Sequence, residues 1–248
     1  MLRRVLNRLG VDVRRVPGGP EAIREPGYGV IRPNATYSPW TTDAGFLEAY
    51  AAIRTATLVD RFRCFELWQL VAQVAKLPHG ALLEVGVWRG GTGALIAKRA
   101  AACGIHEKVY LCDTFSGVVK AGERDSEYRG GEHADTTRGA VEKLLRGTRL
   151  SNVEILEGVF PDETGARVAG ERFRFCHVDV DVYESARASV EWIWDRMAPG
   201  GVVVFDDFGF RSTDGITRYV EEQLERRDRL VFHNLNGHAV LVKLPGGA

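Results

Sequence analysis

Net charge is the first thing this 248-residue chain lacks, since Lys plus Arg and Asp plus Glu number 33 each. Without a global field, nothing draws the molecule to nucleic acid or to an acidic membrane, and a small neutral molecule is the expected partner. Cysteine is scarce: Cys64, Cys103, Cys112 and Cys176 are scattered without a paired metal spacing, the pattern of reduced core residues in a cytoplasmic protein. No apolar run approaches the length of a bilayer span, and Met1 to Gly10 has no signal-peptide core. Internal repeats and low-complexity tracts are missing as well. What remains has the size of one large α/β domain with an N-terminal extension.

The stretch that organises the chain is Leu82 to Gly93, where an apolar run meets Glu84 and then a cluster of glycines before the alanine-rich 94–103. That pattern predicts a buried strand turning tightly into a helix, with Gly86 and Gly90 supplying the turn and the helix N-terminus favouring a negative group. The spacing does not fit the dinucleotide fingerprint Gly-x-Gly-x-x-Gly, which argues against NAD. Asp113 follows about twenty residues after the turn, where an acid can accept from a ribose diol.

Residues 1–16 interleave five arginines with Leu2, Val5, Leu6 and Leu9 and predict a short amphipathic helix packed on the body or on a partner subunit. Pro17 to Pro39 reads as an irregular arm. Helices are expected near 45–58 and 61–76, covering the sheet edge and forming part of a substrate wall. Beyond Pro78, strands at 81–87, 108–113, 152–157, 173–180 and 201–206 alternate with helices at 92–103, 136–146, 184–197 and 214–227, which predicts a mostly parallel sheet between helical layers. Strands at 229–234 and 238–243, joined through Asn236-Gly237, should pair as an antiparallel hairpin. Residues 114–134 form a long polar loop after the second strand, expected to act as a lid or binding element.

The densest chemical signal is acidic. Asp179 and Asp181 end one strand two residues apart, and Asp206 and Asp207 end the next. If those strands are neighbours, four carboxylates converge at one sheet edge and need a cation; all-oxygen ligands suit Mg²⁺, or Mn²⁺ as a substitute. His177 and His238 read as core or supporting histidines, and Trp88, Trp192 and Trp194 as packing residues. His133, in the polar loop, is a candidate substrate contact. Tyr37 and Trp40 are substrate contacts only if the arm folds inward.

Five motifs, in order, resemble those of the macrocin O-methyltransferase family: Glu-Val-Gly-Val-Trp-Arg-Gly-Gly (84–91), Cys-Asp-Thr-Phe (112–115), Gly-Val-Phe-Pro-Asp (158–162), His-Val-Asp-Val-Asp-Val-Tyr-Glu-Ser (177–185) and Pro-Gly-Gly-Val-Val-Val-Phe-Asp-Asp-Phe-Gly (199–209). The resemblance covers residues 45–243. It implies a Rossmann-like class I methyltransferase with a seven-stranded, mostly parallel sheet ending in an antiparallel hairpin. Residues 1–44 would be an N-terminal arm, and 45–248 the methyltransferase domain with N-terminal helices at 45–77.

The resemblance further implies S-adenosylmethionine (SAM) as cosubstrate and Mg²⁺ as cofactor. Glu84 would lie near the methionine end of SAM, with Gly86 and the backbone near Gly90 and Gly91 at its carboxylate. Asp113 would bind the ribose, with Thr114 and Phe115 beside the adenosine and Gly158 and Val159 at the adenine. Asp179, Asp206 and Asp207 would be the metal ligands, leaving Asp181 as general base. The implied acceptor is a sugar hydroxyl of a glycosylated natural product, expected on a deoxysugar; chelation of the metal by two adjacent oxygens favours a vicinal diol, and the N-terminal region is the expected homo-oligomer contact. Two other readings stay open: a metal-dependent glycosyltransferase using Asp179-Val180-Asp181, and a nucleoside-binding protein without catalysis.

Overall fold

Short apolar runs become the strands of one twisted sheet in the computed structural model, which describes residues 27–29 and 34–246. The chain divides after Tyr37, and Ser38–Ala248 forms one compact unit. The expectations for residues 1–16, and for an oligomer contact there, lie outside the described residues. Among the described residues seven strands pair in the order β3-β2-β1-β4-β5-β7-β6. They are β1 (Ala81–Val85), β2 (Val109–Asp113), β3 (Val153–Glu157), β4 (Phe173–Val178), β5 (Met197–Phe205), β6 (Arg229–His233) and β7 (Ala239–Lys243). The first five are mutually parallel, and β7 runs antiparallel between β5 and β6.

The helices are α1 (Ala44–Ile53), α2 (Arg61–Val74), α3 (Gly91–Ala102), α4 (Arg138–Gly147), α5 (Tyr183–Trp194) and α6 (Asp214–Gln223). Alternate residues of each strand face opposite layers. Leu82, Leu111, Phe175 and Val204 pack with Phe46, Trp68, Leu95 and Ile96 of α1–α3. Leu83, Cys176, Val203 and Leu241 pack with Val190, Ile193, Ile216 and Tyr219 of α5 and α6. Each such fully buried side chain contributes roughly 1.5–3 kcal/mol. Of the first two helices, α2 lies on one face of the sheet against β4 and β5 and α1 packs on α2 and α3, not along the sheet edge as expected, because Phe46, Leu67, Trp68 and Val71 need an apolar surface broader than a single edge strand.

Several boundaries differ from expectation in ways that matter for the cleft. α1 stops at Ile53, not Leu58. Thr55, Thr57 and Val59 are β-branched, and the Thr57 hydroxyl accepts from Val59 N–H at 3.0 Å, a local bond that competes with the helix. β5 starts at Met197, four residues early. β1, β4 and β5 end at Val85, Val178 and Phe205, so Gly86, Asp179 and Asp206 stand just beyond the strands. No helix of the described residues is long and apolar enough to cross a membrane.

A candidate active site at the sheet's switch point

Strand order reverses between β1 and β4, which leaves a crevice at their C-terminal ends, where open α/β sheets take ligands. The cleft there encloses about 1070 Å³, part of it open to solvent. Its floor is the β1–α3 turn. Gly86 and Gly90 both adopt left-handed backbone, φ 86° and 85°, and a Cβ on Gly86 would fall 1.6 Å from the Asp179 carbonyl oxygen, so only glycine lets β1 and β4 approach this closely. Asp113 braces the turn. Its Oδ2 accepts from Val87 and Trp88 N–H at 2.6 and 2.8 Å, and its Oδ1 from Phe115 N–H at 2.7 Å.

Across the cleft, parallel pairing of β4 with β5 brings the acids together. Carboxylate oxygens of Asp179, Asp206 and Asp207 lie within 4.8 Å of one another, and Asp181 lines the same wall. Burial and the neighbouring carboxylates push Asp179 and Asp207 well above the usual range. Asp206 goes the other way: burial opposes its charge, but His177, His238 and the Arg63 guanidinium hold it far below that range. Asp181 is raised by burial, although Tyr128, His133 and Asp207 offset part of the effect. Asp181 and Asp207 both have left-handed backbone, φ 63° and 62°. With Trp88 and His133 they make four cleft-lining residues among the eight non-glycine residues of this kind in the described chain, a concentration typical of functional sites.

Two groups at the acids were not anticipated. Arg63, near the start of α2, reaches Asp206 with Nη1 and lies 3.7 Å from Asp207, while its Nε donates to Asp60 at 2.9 Å. Burial disfavours its charge, yet Asp206, Asp60 and Asp207 hold it firmly protonated. Tyr128, from the polar loop, places its hydroxyl against Asp181 and 3.3 Å from His133 Nε2. Residues 117–119, Tyr128 and His133 all line the cleft, so the loop forms one of its walls. Thr92, at the N-terminus of α3, and residues 56–59 also line it.

Of the residues singled out in the sequence, Gly86, Asp113, Thr114, Gly158, Asp179, Asp181, Asp206 and Asp207 line the cleft. Glu84 does not: it is fully buried, with Oε1 2.9 Å from His177 Nδ1, and a Cβ on Gly93 would come within 2.6 Å of its Oε2. Gly90 and Gly91 sit behind the wall, their N–H groups donated to Val87 and Ala56 carbonyls at 2.8 and 2.9 Å. Phe115 and Val159 also lie outside the lining. Trp40 packs on Phe62 and Phe65 at ring separations of 5.0 and 6.0 Å, away from the cleft.

A family model described as macrocin-O-methyltransferase (TylF) matches residues 51–229. A relative from Streptomyces olivaceus, 8-demethyl-8-(2,3-dimethoxy-alpha-L-rhamnosyl)-tetracenomycin-C 4'-O-methyltransferase, is 31% identical over 139 residues, 52% of this chain and 53% of that protein. Demethyldecarbamoylnovobiocin O-methyltransferase from Streptomyces niveus is 27% identical over 139 residues, again 52% and 53%. The chain spans about half the length of the curated relatives it matches. The solved structure of the O-methyltransferase NovP superposes with a TM-score of 0.64 at 22% identity, covering 76% of this chain and 82% of that one, a likeness of fold.

Proposed function

Because the chain belongs to the macrocin-O-methyltransferase (TylF) family, we propose that it is a SAM- and Mg²⁺-dependent O-methyltransferase acting on a sugar hydroxyl of a natural product. The observation that carries this reading is the convergence of Asp179, Asp181, Asp206 and Asp207 on the cleft that also contains Gly86 and Asp113. A glycosyltransferase using Asp179 and Asp181 would leave the Asp206–Asp207 pair and the glycine turn without a role. The rhamnosyl group in the tetracenomycin relative's name supports a deoxysugar acceptor. We place the activity in the cytoplasm, where the four unpaired cysteines stay reduced.

The residues fit both groups. Asp179, Asp206 and Asp207 offer an all-oxygen set suited to a hard divalent cation, and a cation among them would relieve the repulsion that raises Asp179 and Asp207. Asp113 Oδ1 accepts one hydrogen bond within the protein, from Phe115, and a carboxylate oxygen has room for a second, here a ribose hydroxyl. Gly86 and Gly158 present backbone without side chains to the cofactor side of the cleft.

When bound, Mg²⁺ lowers the pKa of an acceptor hydroxyl and SAM supplies the electrophilic methyl group. Asp181, which lines the same wall as the proposed ligands, takes the hydroxyl proton. Tyr128 and His133, on the loop side, favour the ionised form of Asp181. The N-terminus of α3, at Thr92, favours the carboxylate end of the cofactor. Arg63 pairs with Asp206 and adds to the groups that favour its ionised form.

The test is turnover with SAM and a deoxysugar glycoside before and after stripping with EDTA. Stripped protein should be inactive, Mg²⁺ should restore it, and calorimetry should show that S-adenosylhomocysteine binding largely survives. Full activity in thoroughly stripped protein would sink the metal, and failure to bind S-adenosylhomocysteine would sink the cofactor.

A further inference from the structure

Behind the acids, outside the cleft lining, lies a buried polar network to which the proposed reaction gives no task. His238 is fully buried at the threshold of β7, with Nδ1 2.7 Å from Glu66 Oε2 and Nε2 2.7 Å from Asp206 Oδ1. His177, on β4, mirrors it at longer range, its Nδ1 2.9 Å from Glu84 and its Nε2 3.7 Å from the same Asp206 oxygen. β4 and β7 flank β5, so the strand that leads into Asp206 has a glutamate-held imidazole on either side. Arg63 takes the other Asp206 oxygen. Arg63 and Glu66 stand three apart on α2, hence on one helix face.

We propose that Glu66 and His238 are positioning residues that aim Asp206 as a metal ligand. The inference rests on the reading that Asp206 ligates the cation. A histidine is costly to bury unless both ring nitrogens are used, and here each imidazole nitrogen of His238 meets a carboxylate. Glu66 is itself fastened by the Asn234 side-chain amide, and Asn234 Oδ1 accepts from His238 and Asn236 N–H at 3.2 and 2.7 Å. The turn between β6 and β7, the helix α2 and the end of β5 are thereby tied through one imidazole. Asp206 cannot rotate its carboxylate without breaking the bond to His238 on one oxygen and to Arg63 on the other.

A second metal ion held by His177, His238 and Asp206 is the competing explanation for the same cluster. Donor atoms that share one tetrahedral ion at about 2.0–2.1 Å stand about 3.3 Å apart. His238 Nε2 and Asp206 Oδ1 are 2.7 Å apart, which is a hydrogen bond. Nor does either histidine line the cleft, so neither touches the reacting atoms.

Partners of a ligating carboxylate typically change metal affinity by about 10- to 100-fold when lost. Mn²⁺ titrations of the full chain, followed by electron paramagnetic resonance of the free ion, test this without turnover. His238→Ala should weaken Mn²⁺ binding by that factor, and His238→Gln, whose amide nitrogen can still donate to Asp206, should restore most of it. Glu66→Gln keeps the packing at a partly exposed position and should weaken Mn²⁺ binding in the same direction, which covers a His238→Ala protein that does not fold. S-adenosylhomocysteine affinity of the same preparations should not move. Unchanged Mn²⁺ affinity in both Glu66→Gln and any folded His238→Ala would overturn the proposal while leaving the metal reading intact. A wild-type protein that binds no Mn²⁺ overturns the metal reading, and the proposal with it.

Discussion

At Asp113 a single carboxylate serves the turn as well as the ligand it is proposed to hold. Three backbone N–H groups end on it, so Asp113→Ala should weaken S-adenosylhomocysteine binding and also lower the melting temperature. Each lost charged hydrogen bond costs roughly 1.5–3 kcal/mol, so calorimetry should show affinity down by at least about tenfold. A folded variant with unchanged binding would count against the cofactor placement. Asp181→Asn is a different case. It nearly keeps the side chain's shape but cannot take a proton, so single-turnover methyl transfer should slow by about 10²–10⁴-fold while S-adenosylhomocysteine affinity holds. A near-wild-type rate would move the base to His133 or to water. Asp179, Asp181, Asp206 and Asp207 were legible in the sequence because apolar strands run directly into paired acids. Arg63 was not, since it meets Asp206 across 143 residues of chain and nothing local to either residue encodes the contact.

Among the elements, strands and helices followed from periodicity, whereas the conformation of the loop at 114–134 depends on distant partners that periodicity cannot register. The loop is fastened by Asp125, which is buried and accepts from Gly122 N–H and from Tyr183 N–H, both at 2.9 Å. Tyr183 is the first residue of α5, and Val182 before it has no side chain able to cap the helix. Asp125 therefore caps α5 from another part of the chain. Gly215 in α6 makes room for it, since a Cβ there would lie 2.0 Å from Asp125 Oδ1. Losing a cap costs about 0.5–2 kcal/mol. Asp125→Ala should therefore speed amide hydrogen exchange in the loop and in the first turn of α5 together. Since Asp181 lies two residues before Tyr183, the methyl-transfer rate should fall as well. Faster exchange confined to the loop would show that α5 does not depend on it.

For the whole molecule, equal numbers of acids and bases at neutral pH give way in acid to 33 unopposed cations and six protonated histidines, so the acid limb of stability depends on carboxylates that resist protonation. Asp228 is one, and it sits where late elements meet. Its carboxylate accepts from Arg229 Nε at 2.7 Å and Nη2 at 3.0 Å and from Trp194 Nε1 at 2.5 Å. Arg229 also stacks on the Trp194 ring at 3.8 Å and donates to Gln223 at 2.8 Å, so β6, α5 and α6 join at this point. The Arg229 hydrogen bonds, opposed by partial burial and helped by Trp194, draw Asp228 from 3.8 down to about 2. A folded pKa below the unfolded one adds stability that is present above the unfolded value and is lost as pH falls through the folded value. Asp228→Asn should thus be less stable than wild type by a constant margin above about pH 5, with the margin closing as pH falls from about 4 toward 2. Urea denaturation across that range measures it, and a margin that stayed constant down to the lowest pH at which both proteins fold would mean that the carboxylate is held by packing and not by its charge.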